Sequence, residues 1–238
     1  MARRLSGRVG PMALICVLAA AAAGAAGAAG ADRGARLASG PERPPPSASA
    51  LGPAAFPPEG RIRAAQRWVR ARRGLNSLAL IDSHGREHGV APQRVYRSAS
   101  VVKALMLVSY LRRIGNRLPR AAERALLGPM ITRSDNGAAT AIYRRVGGES
   151  LRRLARRAGM RRFSVFVRWS SARFSALDQA RFFAQIDALI PARSRLYARR
   201  LLSSIVPRQR WGFSRPAAAA GFKAFFKGGW RGTRLGQL

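Results

Sequence analysis

The sequence predicts an α+β fold, with an antiparallel sheet flanked by helices and an adjoining helical lobe. Two apolar runs of strand length, joined by a turn, lie early in the folded part, and a third strand-like run lies near its end. Between them, apolar residues recur mainly at helical spacing. Strands separated by a block of helices favour an antiparallel sheet over the regular alternation of strand and helix in parallel sheets.

The first expected elements are a helix and a β-hairpin. Residues 61–73 carry apolar side chains on one helical face, namely Ile62, Ala65, Trp68 and Val69. Residues 75–82 form an apolar run of strand length, and Ser83-His84-Gly85 is a turn signal. A second, paired strand is therefore expected between Glu87 and Tyr96.

A block of helices is expected next. In residues 101–114 the apolar side chains Val101, Ala104, Leu105, Val108 and Leu111 recur at the spacing of a helix face. Ser175 and Asp178 form a capping box that opens a later helix. The other expected helices cover residues 121–127, 137–146, 150–158 and 195–205. Residues 163–167 fit a strand or an extended loop, and residues 222–227 fit a strand.

The N-terminal residues 1–31 resemble an export signal that is removed from the mature protein. Arg3, Arg4 and Arg8 precede the apolar stretch Met12–Ala23, and Ala29-Gly30-Ala31 offers a cleavage site. An uncleaved membrane anchor is the alternative, although the second half of the segment contains only Ala and Gly, which suit a membrane span poorly. We therefore expect an exported protein, either secreted, periplasmic or associated with the cell wall.

Residues 32–60 are expected to be a linker and residues 61–238 the folded domain. The linker holds seven prolines among Ala, Ser and Gly, a composition that buries little surface and stays extended. The single cysteine, Cys16, lies in the leader segment. The folded domain would therefore contain no disulfide bond.

The charge of the chain is strongly positive, with 44 basic and 10 acidic residues and a formal net charge of +34. Such a charge is compatible with an anionic partner, such as an acidic wall polymer or a membrane surface. The arginines are spread along the chain, which equally fits a bias in composition. No zinc-finger spacing, RNP motif or basic zipper is present, so specific nucleic-acid binding is not expected.

Lysine is rare in this basic chain: the only lysines are Lys103, Lys223 and Lys227. Lys103 closes a Ser-Val-Val-Lys motif that begins at Ser100, and Lys227 opens Lys-Gly-Gly. Arginine is effectively never deprotonated, whereas burial and neighbouring charge can neutralise a lysine. A lysine that is retained in such a chain indicates a need for a titratable or compact amine.

Ser100 lies at the N-terminal edge of the helix expected over residues 101–114. Unpaired N–H groups and the helix dipole favour developing negative charge there, so the backbone N–H of Ser100 could serve as an oxyanion donor. Lys103 is about one helical turn further on, where its amine can lie on the same face as the Ser100 hydroxyl and activate it. Alone, the pair also fits an N-capping serine and a surface lysine.

Two later motifs strengthen the catalytic interpretation. Ser134-Asp135-Asn136 begins 34 residues after Ser100, and there Ser134 could relay a proton to a leaving group while Asn136 binds substrate or Lys103. Lys227 could attract a substrate carboxylate. Gly228 and Gly229 would let substrate approach the backbone, and the Trp230 N–H would be the second oxyanion donor. Taken singly, these motifs also fit a capping cluster and an ordinary turn.

The order S-x-x-K, S-D-N, K-x-G resembles the serine β-lactamase and penicillin-binding superfamily, closest to class A. The resemblance covers residues 61–238 and includes Arg97 and residues 130–133, which precede two of the motifs. It implies an acyl-enzyme on Ser100 and a cleft between the sheet and an all-helical lobe. It also implies no metal and no organic cofactor. We expect the protein to be a monomer. The implied substrates are β-lactams or the D-Ala-D-Ala ends of peptidoglycan stem peptides.

The sequence departs from the class A pattern in four ways. Residues 165–174, where class A enzymes carry a glutamate that activates the deacylating water, contain no acid. The segment between Ser100 and Ser134 is short, and Gly228 stands where Thr or Ser is usual. The chain stops eight residues after Trp230, whereas family members continue with further strands and a helix, so an incomplete sheet or a fragment is expected.

Besides an anion-binding protein led by its charge, these observations leave three functional hypotheses. The first is an exported serine hydrolase that is acylated at Ser100 and deacylates slowly. The second is a D-Ala-D-Ala peptidase acting on peptidoglycan stems, in which lysine serves as the base without the loop glutamate. The third is a catalytically inactive wall-binding domain of the same fold.

Overall fold

The computed structural model describes residues 15–21, 56–210 and 223–230. These residues form an α+β fold, as the sequence predicts. In chain order the elements are β1 (Ile15–Ala21), α1 (Glu59–Arg70), β2 (Leu75–Ile81), β3 (Glu87–Val90), β4 (Val95–Arg97), α2 (Lys103–Arg113), α3 (Ala121–Thr132), α4 (Asn136–Arg157), β5 (Arg173–Ser175), α5 (Ala176–Ala184), α6 (Ile186–Leu189) and α7 (Arg195–Ser203). Short 3-10 helices cover Ala99–Val102, Trp169–Ser171, Ala192–Ser194 and Pro207–Gln209.

The larger sheet is antiparallel and has the order β1-β2-β3. Its β2–β3 hairpin turns at Gly85, whose φ of 79° suits glycine. The buried carboxylate of Asp82 fixes the turn by accepting the backbone N–H groups of His84 and Arg86, each at 2.9 Å. The predicted hairpin is therefore present, with its second strand over Glu87–Val90.

Strand β1 falls within the segment expected to be an export signal, where the sequence pattern predicts no strand. The rest of that segment, and residues 32–55 of the expected linker, lie outside the described residues. Removal of the leader stays a prediction. Among the described helices, none has the length and apolar composition needed to cross a bilayer.

Helix α2 is the centre of the helical lobe. All nine residues from Lys103 to Leu111 are buried, and α3 and α4 both pack against this helix. A helix that is buried on every side contributes far more apolar surface to the core than one with a single apolar face. The position of α2 therefore fixes Lys103, at its first turn, inside the protein.

One expectation about secondary structure needs correction. Residues 223–230 form no strand; instead the Phe226 N–H donates to the Leu202 carbonyl at 2.9 Å, using an oxygen that the last turn of α7 leaves without a helical partner. Residues 163–167, expected as a strand or an extended loop, lie outside the named strands and form one bridge, between Ser164 and Arg173. The two helices expected at residues 137–146 and 150–158 are both present within α4, which is broken between them at Gly147, where φ is 71°.

Candidate active site

Ser100 lies on the 3-10 helix that leads into α2, and it is partly buried. The chain enters this helix through Ser98, whose N–H donates to the Ala172 carbonyl at 2.9 Å and whose carbonyl accepts the Val101 N–H at 3.0 Å. Ala99 adopts a φ of 45°, a left-handed conformation that is uncommon for alanine. The N–H of Ser100 belongs to the first turn of the helix, where no helical carbonyl can accept it.

Lys103 is fully buried and is held by three acceptors. Its Nζ donates to the Ser134 carbonyl at 2.6 Å, to Ser134 Oγ at 3.2 Å and to Asn136 Oδ1 at 2.8 Å. Burial lowers the pKa of Lys103 to about 8, against a smaller opposing effect of the nearby Asp135 carboxylate. A substantial fraction of the amine is therefore neutral at mildly alkaline pH.

Ser134 is presented by the sharp end of α3. The Pro129 carbonyl accepts the N–H groups of both Arg133 and Asp135, each at 3.1 Å, and Ser134 between them has a φ of 60°. Asp135 then caps α4 by accepting the Ala138 N–H at 2.7 Å. This bend turns both the carbonyl and the hydroxyl of Ser134 toward Lys103.

Lys227 completes a chain of hydrogen bonds. Its Nζ donates to Ser134 Oγ at 3.1 Å and to the Gly228 carbonyl at 2.8 Å, and its side chain is 4 % exposed. Burial, together with repulsion from Lys103, lowers the pKa of Lys227 to about 7. The hydroxyl of Ser134 is thus shared by two buried amines, both of which lose protons more readily than exposed lysines.

Gly229 packs directly against the backbone that carries Ser100. A Cβ at this position would lie 2.8 Å from the Ser98 carbonyl oxygen and 2.9 Å from the Ser100 nitrogen. Only glycine permits this approach without movement of the nucleophile segment. The next residue, Trp230, is 39 % exposed.

The Ser100 hydroxyl and the Lys103 amine are not hydrogen-bonded to each other in the described part of the chain, whereas sequence analysis expects the two groups on one face. An ammonium has three donors, and Ser134 and Asn136 take all three. Three acceptors around one amine suit the protonated form of Lys103. Loss of a proton leaves two donors and a lone pair, which frees the amine to accept a proton.

The three acids between the second and third motifs are all engaged away from these lysines. Glu149 forms ion pairs with three arginines of α4, Asp187 pairs with Arg199, and the buried Asp178 accepts Ser175 Oγ at 2.9 Å and the Arg161 N–H at 2.7 Å. The structure therefore brings no carboxylate from this interval to Lys103. Within the described residues, no group of His, Cys, Asp and Glu is arranged to hold a metal ion.

Two contributions to the site could not be assigned from the sequence. The indole of Trp169 lies over Lys103, with Nζ 4.8 Å from the ring centroid. The segment after α7 holds the Ser134 bend from behind, because Val206 N–H donates to the Thr132 carbonyl at 3.0 Å and Gln209 Nε2 to the Arg133 carbonyl at 2.9 Å. Neither segment carries a motif that marks it as part of a site.

Comparison with known proteins agrees with this geometry. Residues 118–234 match the model of a family described as "Beta-lactamase enzyme family". The matched segment, which contains Ser134, Asn136 and Lys227, is therefore similar to this β-lactamase family. No curated protein matches it at a significant level.

Solved structures of β-lactamases are similar to this chain in fold. A β-lactamase from Sphaerobacter thermophilus is 18% identical, with a TM-score of 0.53 over 63% of this chain and 71% of that one. One from Xanthomonas campestris is 16% identical, with a TM-score of 0.51 over 61% and 69%. An ancestral class A β-lactamase is 17% identical, with a TM-score of 0.51 over 62% and 71%.

Proposed function

We propose that this β-lactamase-like hydrolase forms an acyl-enzyme on Ser100 with β-lactams or related amides, by class A-like chemistry. The observation that carries the proposal is the chain Lys103–Ser134–Lys227, in which two buried amines share one serine hydroxyl next to the Ser100 helix. A buried chain of amines and a hydroxyl can move protons between a nucleophile and a leaving group. A purely structural role would not require two costly buried lysines.

The acylation step follows from these positions. Neutral Lys103 accepts the proton of the Ser100 hydroxyl, and Oγ attacks the carbonyl carbon of the substrate amide. The N–H groups of Ser100 and Trp230 would stabilise the oxyanion. When the C–N bond breaks, the leaving nitrogen takes a proton from Ser134, which regains one from a neighbouring lysine.

Lys227 also fits a substrate that carries a carboxylate, as β-lactams and stem peptides do. When protonated, it supplies positive charge at one end of the hydrogen-bonded chain, where its amine donates to the Gly228 carbonyl. Gly228 offers no hydroxyl to hold such a carboxylate, so the attraction would rest on charge and on backbone groups. We therefore expect weak binding of the substrate before acylation.

Deacylation is expected to be slow. Glu149, Asp178 and Asp187 are each committed to structural contacts, and residues 165–174 contain no acid that could activate water. The absence of such an acid also favours the second candidate function, a D-Ala-D-Ala peptidase, since lysine is then the only base among the described residues of the site. If no covalent adduct forms on Ser100, the protein is a catalytically inactive wall-binding domain of the same fold.

We also propose that the protein is exported and associates with anionic wall polymer or a membrane surface. Helix α1 carries four arginines against one glutamate, and Arg63 alone of the four pairs with that glutamate, Glu59. Trp68 on the same helix is 50% exposed, with Arg72 stacked 3.9 Å above its ring. We expect the protein to co-sediment with anionic vesicles at low salt, and the double variant Arg67→Glu, Arg70→Glu to lose this binding. Unchanged binding of the double variant would contradict a role of helix α1 in the association.

The acyl-enzyme is tested by intact mass spectrometry after incubation with benzylpenicillin. The expected result is a mass increase of one penicillin, mapped to the peptide that contains Ser100 and absent in Ser100→Ala. A Ser134→Ala variant is the matched control, because it retains the nucleophile and should acylate slowly rather than not at all. A well-folded wild-type protein that never gains mass would contradict the acyl-enzyme and support the inactive wall-binding domain.

The two enzymatic candidates are separated by a second assay. Release of free D-alanine from a stem-pentapeptide mimic, lost in Ser100→Ala, would favour the peptidase. Turnover of a chromogenic cephalosporin at ordinary enzyme rates would instead show that another group activates the deacylating water, and would contradict slow deacylation.

A further inference from the structure

Trp169 lies over the Lys103 amine but takes no part in the proposed acylation step. It lies on the 3-10 helix Trp169–Ser171, in the loop where no acid is present. Its ring is partly exposed, whereas Lys103, 4.8 Å from the ring centroid, is 0 % exposed. The indole therefore stands between the Lys103 amine and solvent on this side of the site.

Hydrogen bonds to two different parts of the site fix the position of the Trp169 segment. Its Nε1–H donates to Thr140 Oγ1 at 3.2 Å, and the Thr140 hydroxyl donates to the carbonyl of Asn136, itself a partner of Lys103. The residue after its 3-10 helix, Ala172, accepts the Ser98 N–H at 2.9 Å. The Trp169 segment is thus bonded both to the helix that bears Asn136 and to the turn that bears Ser100.

The rest of the loop is equally fixed. The Tyr143 hydroxyl donates to the Phe166 carbonyl at 2.9 Å, and Arg152 Nη1 donates to the Val165 carbonyl at 2.8 Å. Ser171 Oγ donates to the Arg168 carbonyl at 2.6 Å and accepts the Phe166 N–H at 3.2 Å. These bonds argue against a loop that swings aside freely to admit solvent.

We propose that Trp169 is a positioning residue whose indole keeps water from the Lys103 side of the acyl-enzyme, so that the covalent adduct on Ser100 is long-lived. Deacylation requires water to add to the ester carbon, its proton to pass to a base, and the bond between Ser100 Oγ and the acyl group to break, with a proton returning to Oγ. Lys103 is the base that this site offers. A ring lying over its amine denies water the position from which that proton could be transferred.

This inference rests on the proposed acyl-enzyme, but its first test does not. The chain holds only three lysines, and Lys223 is exposed while Lys103 and Lys227 are buried. Acetic anhydride labelling, read by peptide mapping, therefore reports the accessibility of Lys103 with Lys223 as the internal reference. In Trp169→Ala, labelling of Lys103 should rise about tenfold relative to Lys223, as expected when a buried group is opened to solvent.

The second test measures the lifetime of the penicillin adduct. Trp169→Ala should shorten it about tenfold by admitting water, and Thr140→Val, which removes the acceptor of the indole N–H, should shorten it by less. Trp169→Phe keeps a ring over the amine and should leave both the lifetime and the labelling of Lys103 near the wild-type values. Thermal unfolding of each variant shows whether the fold is retained.

The outcomes separate the two proposals. If wild-type protein gains no adduct, the acyl-enzyme is wrong, and the labelling of Lys103 still decides whether Trp169 covers the amine. If Lys103 in folded Trp169→Ala or Thr140→Val is labelled no faster than in wild type, the covering role is refuted. If labelling rises but the adduct persists unchanged, the indole does not control deacylation, and that part of the proposal is overturned.

Discussion

Replacing Gly229 by alanine tests the close approach between the third motif and the nucleophile. The added Cβ would lie 2.8–2.9 Å from Ser98 O, Ser100 N and Val101 Cγ2, whereas ordinary contacts begin near 3.4 Å. The two backbones must therefore separate by about 0.5 Å. Because an error of about 1 Å in catalytic geometry can cost on the order of 10²-fold in rate, we expect acylation to slow by about tenfold, and more if the Ser100 oxyanion donor is lost.

The stability of this variant should fall by about 1–3 kcal/mol, the usual cost of forcing an extra methyl group into a packed site. Gly128→Ala is the matched control, since a Cβ on that helical glycine meets nothing within 4 Å and replaces a poor helix former. Acylation would be followed with a fluorescent penicillin, and stability by urea unfolding. A folded Gly229→Ala protein that acylates within about twofold of the wild-type rate would refute the reasoning, because such a geometric change should cost more.

Two further predictions concern stability. The pKa values of Lys103 and Lys227, about 8 and about 7, lie below the ordinary lysine value, so between pH 7 and about 10 the unfolded chain binds more protons. The free energy of unfolding should consequently rise from pH 7 to pH 9, and a Lys227→Met variant should show a smaller rise; a fall with pH would contradict the burial of these amines. Asp178→Asn should lower the free energy of unfolding by about 1–3 kcal/mol, because it removes a buried carboxylate that accepts four donors. Asp187→Asn breaks an exposed ion pair with Arg199 and should cost less than about 1 kcal/mol. Equal losses in the two variants would show that the Asp178 contacts do not stabilise the fold.

The helical lobe could be predicted from the sequence because its helices are long and periodic. Residues 101–114 show the pattern of α2, and Ser175 with Asp178 marks the start of α5, where the capping box is present. The pattern underestimated how deeply α2 is buried, since it shows one apolar face and the structure buries all nine residues from Lys103 to Leu111. That burial is a property of tertiary packing, which periodicity does not report.

The short elements were beyond prediction for a related reason. Strands β4 and β5 have three residues each and pair across a sequence separation of about 80 residues, so neither contains enough sequence to show a period. The run at 222–227 has strand-like composition, but residues 223–230 find their backbone partner at the end of α7 rather than in a sheet. Composition shows that a segment is able to form a strand, but whether it does so depends on the backbone groups with which it pairs.

The three motifs located most of the candidate site, since Lys103, Ser134, Asn136 and Lys227 meet in one hydrogen-bonded chain. Trp169 was not found because a tryptophan in a loop is most often a packing residue. Its position over Lys103 depends on the Thr140 bond from α4 and on the pairing of Ser98 with Ala172, both of which join distant parts of the sequence.

The most direct test of the account is the pH dependence of acylation in wild type and in Lys103→Arg. If neutral Lys103 activates Ser100, the wild-type rate of adduct formation should rise as the pH passes about 8, which is the pKa of this amine. Lys103→Arg should form no measurable adduct at any pH from 6 to 9, because a guanidinium does not deprotonate there. A wild-type rate that is flat across this range, or a folded Lys103→Arg protein that labels at the wild-type rate, would contradict the central claim.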